Sequence, residues 1–445
     1  MCSENTSRVQ VLASRFVFRF GGQWYSRELM TPRPLIVLLC LSLFVGCQRE
    51  ASKPTAEPAA SKEAAFAITL QPLTPPAQGE SAQVQLTTSS RGVLLSWLEQ
   101  KEATATLKFA ELAANAWSGA QQVASSEHWF ISDADVPTVL RMSDGTLVAT
   151  TYPSVDPTIE AYDLRLAYSR DDGKTWSRPL TPHHDKTKTQ HGFASLFELP
   201  DRALGLVWLD GRDQELNKTD PQGGSMDLYF ASFDSSWKQT AESSVNGRVC
   251  ECCQTAATVT GDGPIVAFRD RTDQEIRDIH VTRIEQGKWV GAVPVHADNW
   301  KIDACPVNGP AVTARGKTVA VAWFTAVGDM GHAWAAFSQD AGRTWGAPIR
   351  LDDGASEGHV DVELLEDGSA AASWVEFANE RAQFRVRQVT ASGERSQALT
   401  VAGAGEGRVS GYPRIARSGN SLVFAWTESS GPGSQQIKTA IATMK

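Results

Sequence analysis

Ser169-Arg170-Asp171-Asp172-Gly173-Lys174-Thr175-Trp176 and Ser338-Gln339-Asp340-Ala341-Gly342-Arg343-Thr344-Trp345 are two copies of one octapeptide, S-x-D-x-G-x-T-W. Each reads as a tight turn between strands. The aspartate carboxylate accepts from the turn's own amides, the glycine takes a positive φ without steric cost, and the tryptophan buries a large apolar face. Both copies lie at the same phase of a longer repeat. A hydrophobic strand recurs as GVLLSWLE (Trp97), GTLVATTY (Thr150), LGLVWLD (Trp208), PIVAFRD (Phe268), TVAVAWFT (Trp323), SAAASWVE (Trp374) and SLVFAWTE (Trp426), in steps of 53, 58, 60, 55, 51 and 52 residues. A shorter strand precedes each copy, such as VPTVLRM or YPRIARS, and a third follows, such as DLRLAYSRD or HAWAAFSQD. A fourth begins at a recurring tryptophan: Trp117, Trp176, Trp237, Trp289 and Trp345. Four antiparallel strands per unit of about 50 residues predict an all-β chain folded as a β-propeller, with seven blades by the repeat count. The last unit, SGPGSQQIKTAIATMK, ends after its third strand, while AFAITLQPLT near residue 66 has no blade of its own. That stretch is expected to supply the missing fourth strand and close the ring, which removes a free sheet edge.

Composition fits this reading. The 445 residues are 42% hydrophobic and 21% charged, ordinary values for a soluble globular protein. A net charge of −9 without a basic block argues against a nucleic-acid partner, and a monomer is expected. The N-terminus reads as an export signal. In MTPRPLIVLLCLSLFVGCQRE, from Met30, Arg33 gives the positive start and Leu35 to Val45 form an apolar run of 11 residues, too short to span a membrane. Phe44-Val45-Gly46-Cys47 resembles a bacterial lipobox and implies lipidation at Cys47. Residues 1–29 look like no targeting region, so Met30 is a candidate start. Gln48, which is not Asp, implies an outer-membrane destination by analogy with Gram-negative lipoproteins, facing the periplasm or the cell surface. The domain reading is therefore a signal region over 1–47, a flexible Ala/Pro/Ser-rich tether over 48–65 and a propeller over 66–445.

The two octapeptides resemble the Asp-box turns of bacterial neuraminidases and related propellers, and the resemblance covers roughly residues 66–445. It implies a six-bladed sialidase-like propeller, against seven units by count. It also implies an exo-glycosidase acting on sialic or other acidic glycans, a glycan or small acidic ligand as partner, and no cofactor. Sialidase chemistry uses three arginines for the substrate carboxylate, an Asp acid/base and a Tyr nucleophile paired with a Glu. The family's first arginine motif has no match, since that place reads Asp135-Val136-Pro137; Tyr412-Pro413-Arg414-Ile415 echoes it at the other end of the chain. The catalytic candidates are Tyr412 as nucleophile, Glu275 as its base and Asp135 as acid/base.

Strand geometry sorts the polar residues. In a four-stranded antiparallel blade, the loop before the first strand and the loop between the second and third share one face, opposite the octapeptide turns. Asp135, His191, the cysteines, Tyr412 and Arg414 precede first strands; Asp210, Arg212, Arg269, Arg271, Glu275 and Arg277 follow second strands. One face, around the central mouth, therefore collects the unusual residues. In FRDRTDQEIRD (268–278), Arg269, Arg271 and Arg277 can clamp a carboxylate in bidentate fashion, or the loop can pair with itself. Asp210, Arg212, His191 and Arg414 complete the substrate-binding candidates.

Processing at Cys47 would leave Cys250, Cys252, Cys253 and Cys305, in RVCECCQT and DACPVNGP. Both segments precede first strands of adjacent blades, so they should meet. In an oxidising compartment two disulfides are the default. The alternative is a thiolate site for zinc or copper. His183, His184, Asp185 and His191 form a second His-rich loop with either a ligand or a solvated reading.

Overall fold

The computed structural model describes residues 17–20, 23–26, 66, 68–113, 115–214, 224–403, 411–429 and 433–444. The lipobox, Cys47 and the tether lie outside them. The chain divides into two compact units, residues 1–60 and 61–445. In the first, Val17–Phe20 and Gln23–Ser26 pair as an antiparallel hairpin.

The second unit is a β-propeller of seven antiparallel blades, not six. Blade 1 is built on Glu80–Ser89, Gly92–Lys101, Thr104–Ala113 and Gln121–Ser126. Blade 2 has Val139–Arg141, Leu147–Thr151 and Arg165–Ser169, with a bridge from Leu166 to Leu180 in the fourth place. Blade 3 has His191–Leu199, Ala203–Asp210, Met226–Phe233 and Gln239–Val249. Blade 4 begins with Ala256–Thr260 and Gly263–Arg269, blade 5 with Ala311–Arg315 and Thr318–Thr325, and blade 6 with Ala355–Leu364 and Ala370–Ala378. Blade 7 joins Arg414–Ser418, Ser421–Ser429 and Gln435–Met444 to Ile68–Leu73, which pairs antiparallel with Gln435–Met444 from Ile68↔Met444 to Leu73↔Thr439. The N-terminal strand thus closes the ring as its sequence implied.

Packing between blades explains the repeated hydrophobic strand. Each second strand is covered on both faces by neighbouring blades, so it reads as a continuous apolar run instead of an alternation. Apolar clusters fill every junction, from blades 1 and 2 round to blades 7 and 1. The marker tryptophans Trp97, Trp208, Trp323 and Trp374 are fully buried. A buried indole needs an acceptor. The W-x-D/E pattern supplies it, because residues two apart on a strand share a face: Trp97 donates to Glu99 (3.0 Å), Trp208 to Asp210 (2.8 Å) and Trp374 to Glu376 (2.8 Å). In blade 5 the position two residues on is Thr325, and Trp323 donates to Asp298 instead (2.7 Å).

The octapeptide turns are held as their spacing demands. Asp171 accepts from the Thr175 amide (2.9 Å) and hydroxyl (2.7 Å); Asp340 does the same with Thr344 (2.8 and 2.6 Å). Gly173 and Gly342 have φ of +83° and +81°, and a Cβ at either would meet the neighbouring blade, 2.6 Å from Phe109 and 2.3 Å from Ile265. Both reasons for glycine act at the same position.

Candidate functional site

Seven innermost strands surround an axial cavity of about 710 Å³. The loops that enter these strands meet across one end of it. Bulges between Ala82 and Gln85, Gly192 and Ser195, and Gly358 and Asp361 bend three inner strands, with positive φ at Gln83, Phe193 and His359. Such bulges re-aim side chains. Ala134, Phe193, Cys250, Cys252, Cys253, Val307 and Tyr412 pack together there, with Cys305 against them. The Tyr412 hydroxyl donates to the Val307 carbonyl, and its ring lies 4.3 Å from that of His359. Gln254 donates to the Ala134 carbonyl (2.9 Å) and accepts from the Gly309 amide (2.9 Å). The mouth that the sequence marked as an open binding face is therefore filled by a plug drawn from several blades.

The four cysteines sit in this plug, and none of the four forms a disulfide, in place of the two expected. The Cys250 Sγ is 3.4 Å from that of Cys253 and 3.8 Å from that of Cys252. A disulfide needs about 2.05 Å. Three of them bring their sulfurs within 4.8 Å of one another, and Cys305 hydrogen-bonds Cys252. Burial pushes the Cys250 thiol up to about 11 and likewise raises Cys252 well above the usual thiol range. Burial also opposes ionisation of Cys253, but hydrogen bonds from Cys250 and Cys252 and the Arg269 charge outweigh it and hold Cys253 well below the usual thiol range.

Beside the thiols stand the arginines of FRDRTDQEIRD. Arg269 is buried and spends its donors on the carbonyls of Asn308 (2.8 and 3.0 Å), Arg277 (2.6 Å) and Phe324 (2.8 Å), over the Trp300 ring. Arg271 grips Glu275 through Nε and Nη2 and reaches Glu251 (3.1 Å). Arg277 donates to Glu275 (2.9 Å) and to the Cys250 sulfur (3.3 Å). Arg248 adds a third contact to Glu275 (3.2 Å). The Arg271 hydrogen bonds, then those of Arg277, overcome the burial cost and hold Glu275 at about 2. Of the two readings of this loop, the self-paired one describes these contacts: the carboxylate in the arginine clamp is Glu275.

The other candidates fall in two places. Asp135 and Arg414 line the axial cavity with Asp361 and Glu363. Asp135 accepts from the Phe193 amide (2.8 Å). Its other oxygen has no hydrogen bond of ordinary geometry, although the hydroxyls of Tyr152 and Tyr162 stand beside it. Burial raises its carboxyl to about 7 against the pull of Tyr152, the Phe193 amide and Tyr162. Burial likewise raises Asp361, opposed by Arg414, and takes Glu363 to about 8 with help from Asp361. Asp210, Arg212 and His191 belong to a third group, where the first two strands of blade 3 pair through His191 and Asp210. There Arg212 binds Asp210 in bidentate fashion (2.8 Å each), donates to Glu242 (2.9 Å) and covers the Tyr229 ring. Sequence reasoning missed Glu251, Asp361, Glu363, Tyr152 and Tyr162. Tyr152 ends the hydrophobic strand of blade 2, the one signal that could have flagged it.

Fold and site together define a closed seven-bladed propeller whose axis is capped by a cysteine-bearing plug. No family model matches the chain, and no curated protein matches it. Solved structures share the fold. A protein of unknown function from Dyadobacter fermentans is 15% identical over 85% of this chain and 99% of its own, with a TM-score of 0.51. The polysaccharide lyase Uly1 is 11% identical over 83% of this chain and 91% of its own, with a TM-score of 0.50. The NanB sialidase of Streptococcus pneumoniae is 11% identical over 79% and 83%, with a TM-score of 0.42. At these identities the likeness is one of fold.

Proposed function

We propose that this protein is a cell-envelope propeller, anchored to the outer membrane through lipid on Cys47, that binds one thiophilic metal ion, zinc or cuprous copper, at Cys250, Cys252, Cys253 and Cys305. One observation carries the reading: sulfur separations of 3.4 and 3.8 Å among buried thiols. Metal–sulfur bonds of about 2.3 Å in a tetrahedral site put its sulfurs roughly 3.8 Å apart. The Arg277 guanidinium on the Cys250 sulfur would stabilise the thiolate a metal requires, against the burial that pushes this thiol up to about 11. Three buried thiols would hold such an ion, and Cys305 beside Cys252 would complete the four-sulfur set typical of structural or storage centres rather than hydrolytic ones.

The test is elemental analysis and thiol counting on the full-length protein purified without oxygen. One thiolate-bound equivalent of zinc or copper, lost on chelation along with masking of the four thiols, is expected. Two disulfides and no metal on reconstitution would end this reading.

A glycan-active propeller is the second reading, favoured by the axial cavity that Asp135, its carboxyl raised to about 7 by burial, lines together with Arg414, Asp361 and Glu363. A carboxyl poised near 7 suits general-acid work at neutral pH, and the structural neighbour Uly1 is a polysaccharide lyase. The finer version is exo-hydrolysis of sialic or other acidic glycans. It expects turnover of acidic reporter glycosides that Asp135→Asn abolishes; no turnover across such a panel, with no glycan binding by calorimetry, removes it.

A further inference from the structure

Between blades 2 and 3 the chain makes a crossing of residues 181–190, far from any use in the function proposed above and independent of it. Two histidine rings stack there, His183 on His191, with centroids 3.8 Å apart and planes within 5°. Both are buried. Stacking two imidazoles so closely calls for something that fixes their orientation, and Asp185 does so. It accepts from His183 Nδ1 at 2.8 Å and from His191 Nε2 at 3.1 Å. It also accepts from the Thr187 amide at 3.2 Å and the Thr187 hydroxyl. A carboxylate serving four donors is acceptor-only. The protons of the two rings therefore sit on the nitrogens that face Asp185.

The consequence falls on the opposite nitrogens. In the neutral rings the lone pairs fall on His183 Nε2 and His191 Nδ1, and both atoms are buried without a hydrogen-bond partner. Asp163 stands beside the first of them, its Oδ1 3.7 Å from His183 Nε2 and too far for a hydrogen bond; because the stacked planes set the two lone pairs side by side, an ion shared by both rings would tilt them toward each other. Asp163, His183 and His191 present one ligand atom each within 4.8 Å of one another. We infer that Asp163, His183 and His191 bind a borderline divalent cation of the zinc, cobalt(II) or iron(II) class, with Asp185 as the carboxylate that orients both imidazoles.

The chemistry supports that class. Two neutral imidazoles and one carboxylate form a mixed nitrogen and oxygen set, which favours these ions over calcium or magnesium. A carboxylate behind a ligating histidine fixes its tautomer and raises its basicity. Here one carboxylate does so for two. The ligands come from three places: Asp163 before the third strand of blade 2, His183 on the crossing, and His191 at the start of blade 3. An ion there would fasten the crossing to both blades.

Cobalt(II) added to the metal-free, full-length protein is the probe. In Cys250→Ser/Cys253→Ser protein, where the cysteine site is disabled, one equivalent should bind with ligand-field bands and without the sulfur-to-cobalt charge-transfer band of a thiolate site, and should raise the thermal midpoint. His191→Gln and Asp163→Asn should each abolish that uptake. Asp185→Asn should fold and weaken cobalt binding by about 10- to 100-fold. Asp163→Asn guards against the case in which His191→Gln fails to fold, because Asp163 lies at the rim of the cluster with its second oxygen on Arg165. The inference is overturned by uptake that persists in folded Asp163→Asn, or by no nitrogen/oxygen cobalt spectrum in the unaltered protein. A purely sulfur-ligated spectrum overturns it and leaves the cysteine site standing.

Discussion

Asp135 offers the sharpest quantitative test. Its carboxyl is 1% exposed and held at about 7, chiefly by burial, against an ordinary value of 3.8. The folded protein therefore keeps this proton over a range in which the unfolded chain has released it. Unfolding releases a proton between about pH 4 and pH 7, so this group's contribution to stability is fully present below about pH 4 and lost as pH rises to about 7. At about 1.36 kcal/mol per pH unit, the interval corresponds to about 4 kcal/mol. Asp135→Asn removes the titration but keeps the acceptor for the Phe193 amide, and its NH₂ can donate to the neighbouring tyrosine oxygens. Urea unfolding of both proteins from pH 4 to pH 8 checks this. Stability of the Asn variant relative to the parent should climb with pH, by up to about 4 kcal/mol, and level off above pH 7. Asp361 and Glu363 titrate alike in both proteins and cancel in the difference. A difference that stays flat within about 1 kcal/mol across that range would refute the assignment of a buried, neutral carboxyl at this position.

Two other outcomes follow from the fold. Deleting residues 66–73 strips the outer strand from Gln435–Met444 and leaves an unpaired edge in blade 7; size-exclusion chromatography should show self-association, and hydrogen exchange should quicken along Gln435–Met444. Asp340→Ala removes the acceptor for the Thr344 amide and hydroxyl and the Arg343 amide. Leaving those donors to water should cost about 1–3 kcal/mol and lower the melting temperature, while the far-ultraviolet spectrum stays unchanged.

The ring was legible because its signals are local and repeated. A strand covered on both faces must be apolar throughout, an indole buried on it must find an acceptor, often an acid two residues away, and a turn that needs positive φ beside a neighbouring blade must use glycine. Trp208–Asp210 and Gly342 each satisfy their rule within a few residues. Ring closure was legible by subtraction, since the last unit lacked one strand and the first had one to spare. The sites were not legible in the same way. Cys250, Cys252, Cys253, Cys305, His183, Asp185, Asp135 and Tyr412 all lie between the last strand of one blade and the first of the next. That stretch carries no period, and its partners come from other blades. Face sorting could say that Tyr412 and the cysteines share an end of the axis, but not that Tyr412 would bind the Val307 carbonyl and help to fill that end. Nor could it separate a ligand clamp from a self-paired loop, because both need the same arginines. The difference is one carboxylate, Glu275, close enough to Arg271 and Arg277 to take the place a ligand would occupy. The repeat therefore specifies a wall, and the chemistry resides in the segments that interrupt it. Apart from His191, which heads the first strand of blade 3, substitutions in the strands should change stability with little effect on metal content, and substitutions in the crossings should do the reverse.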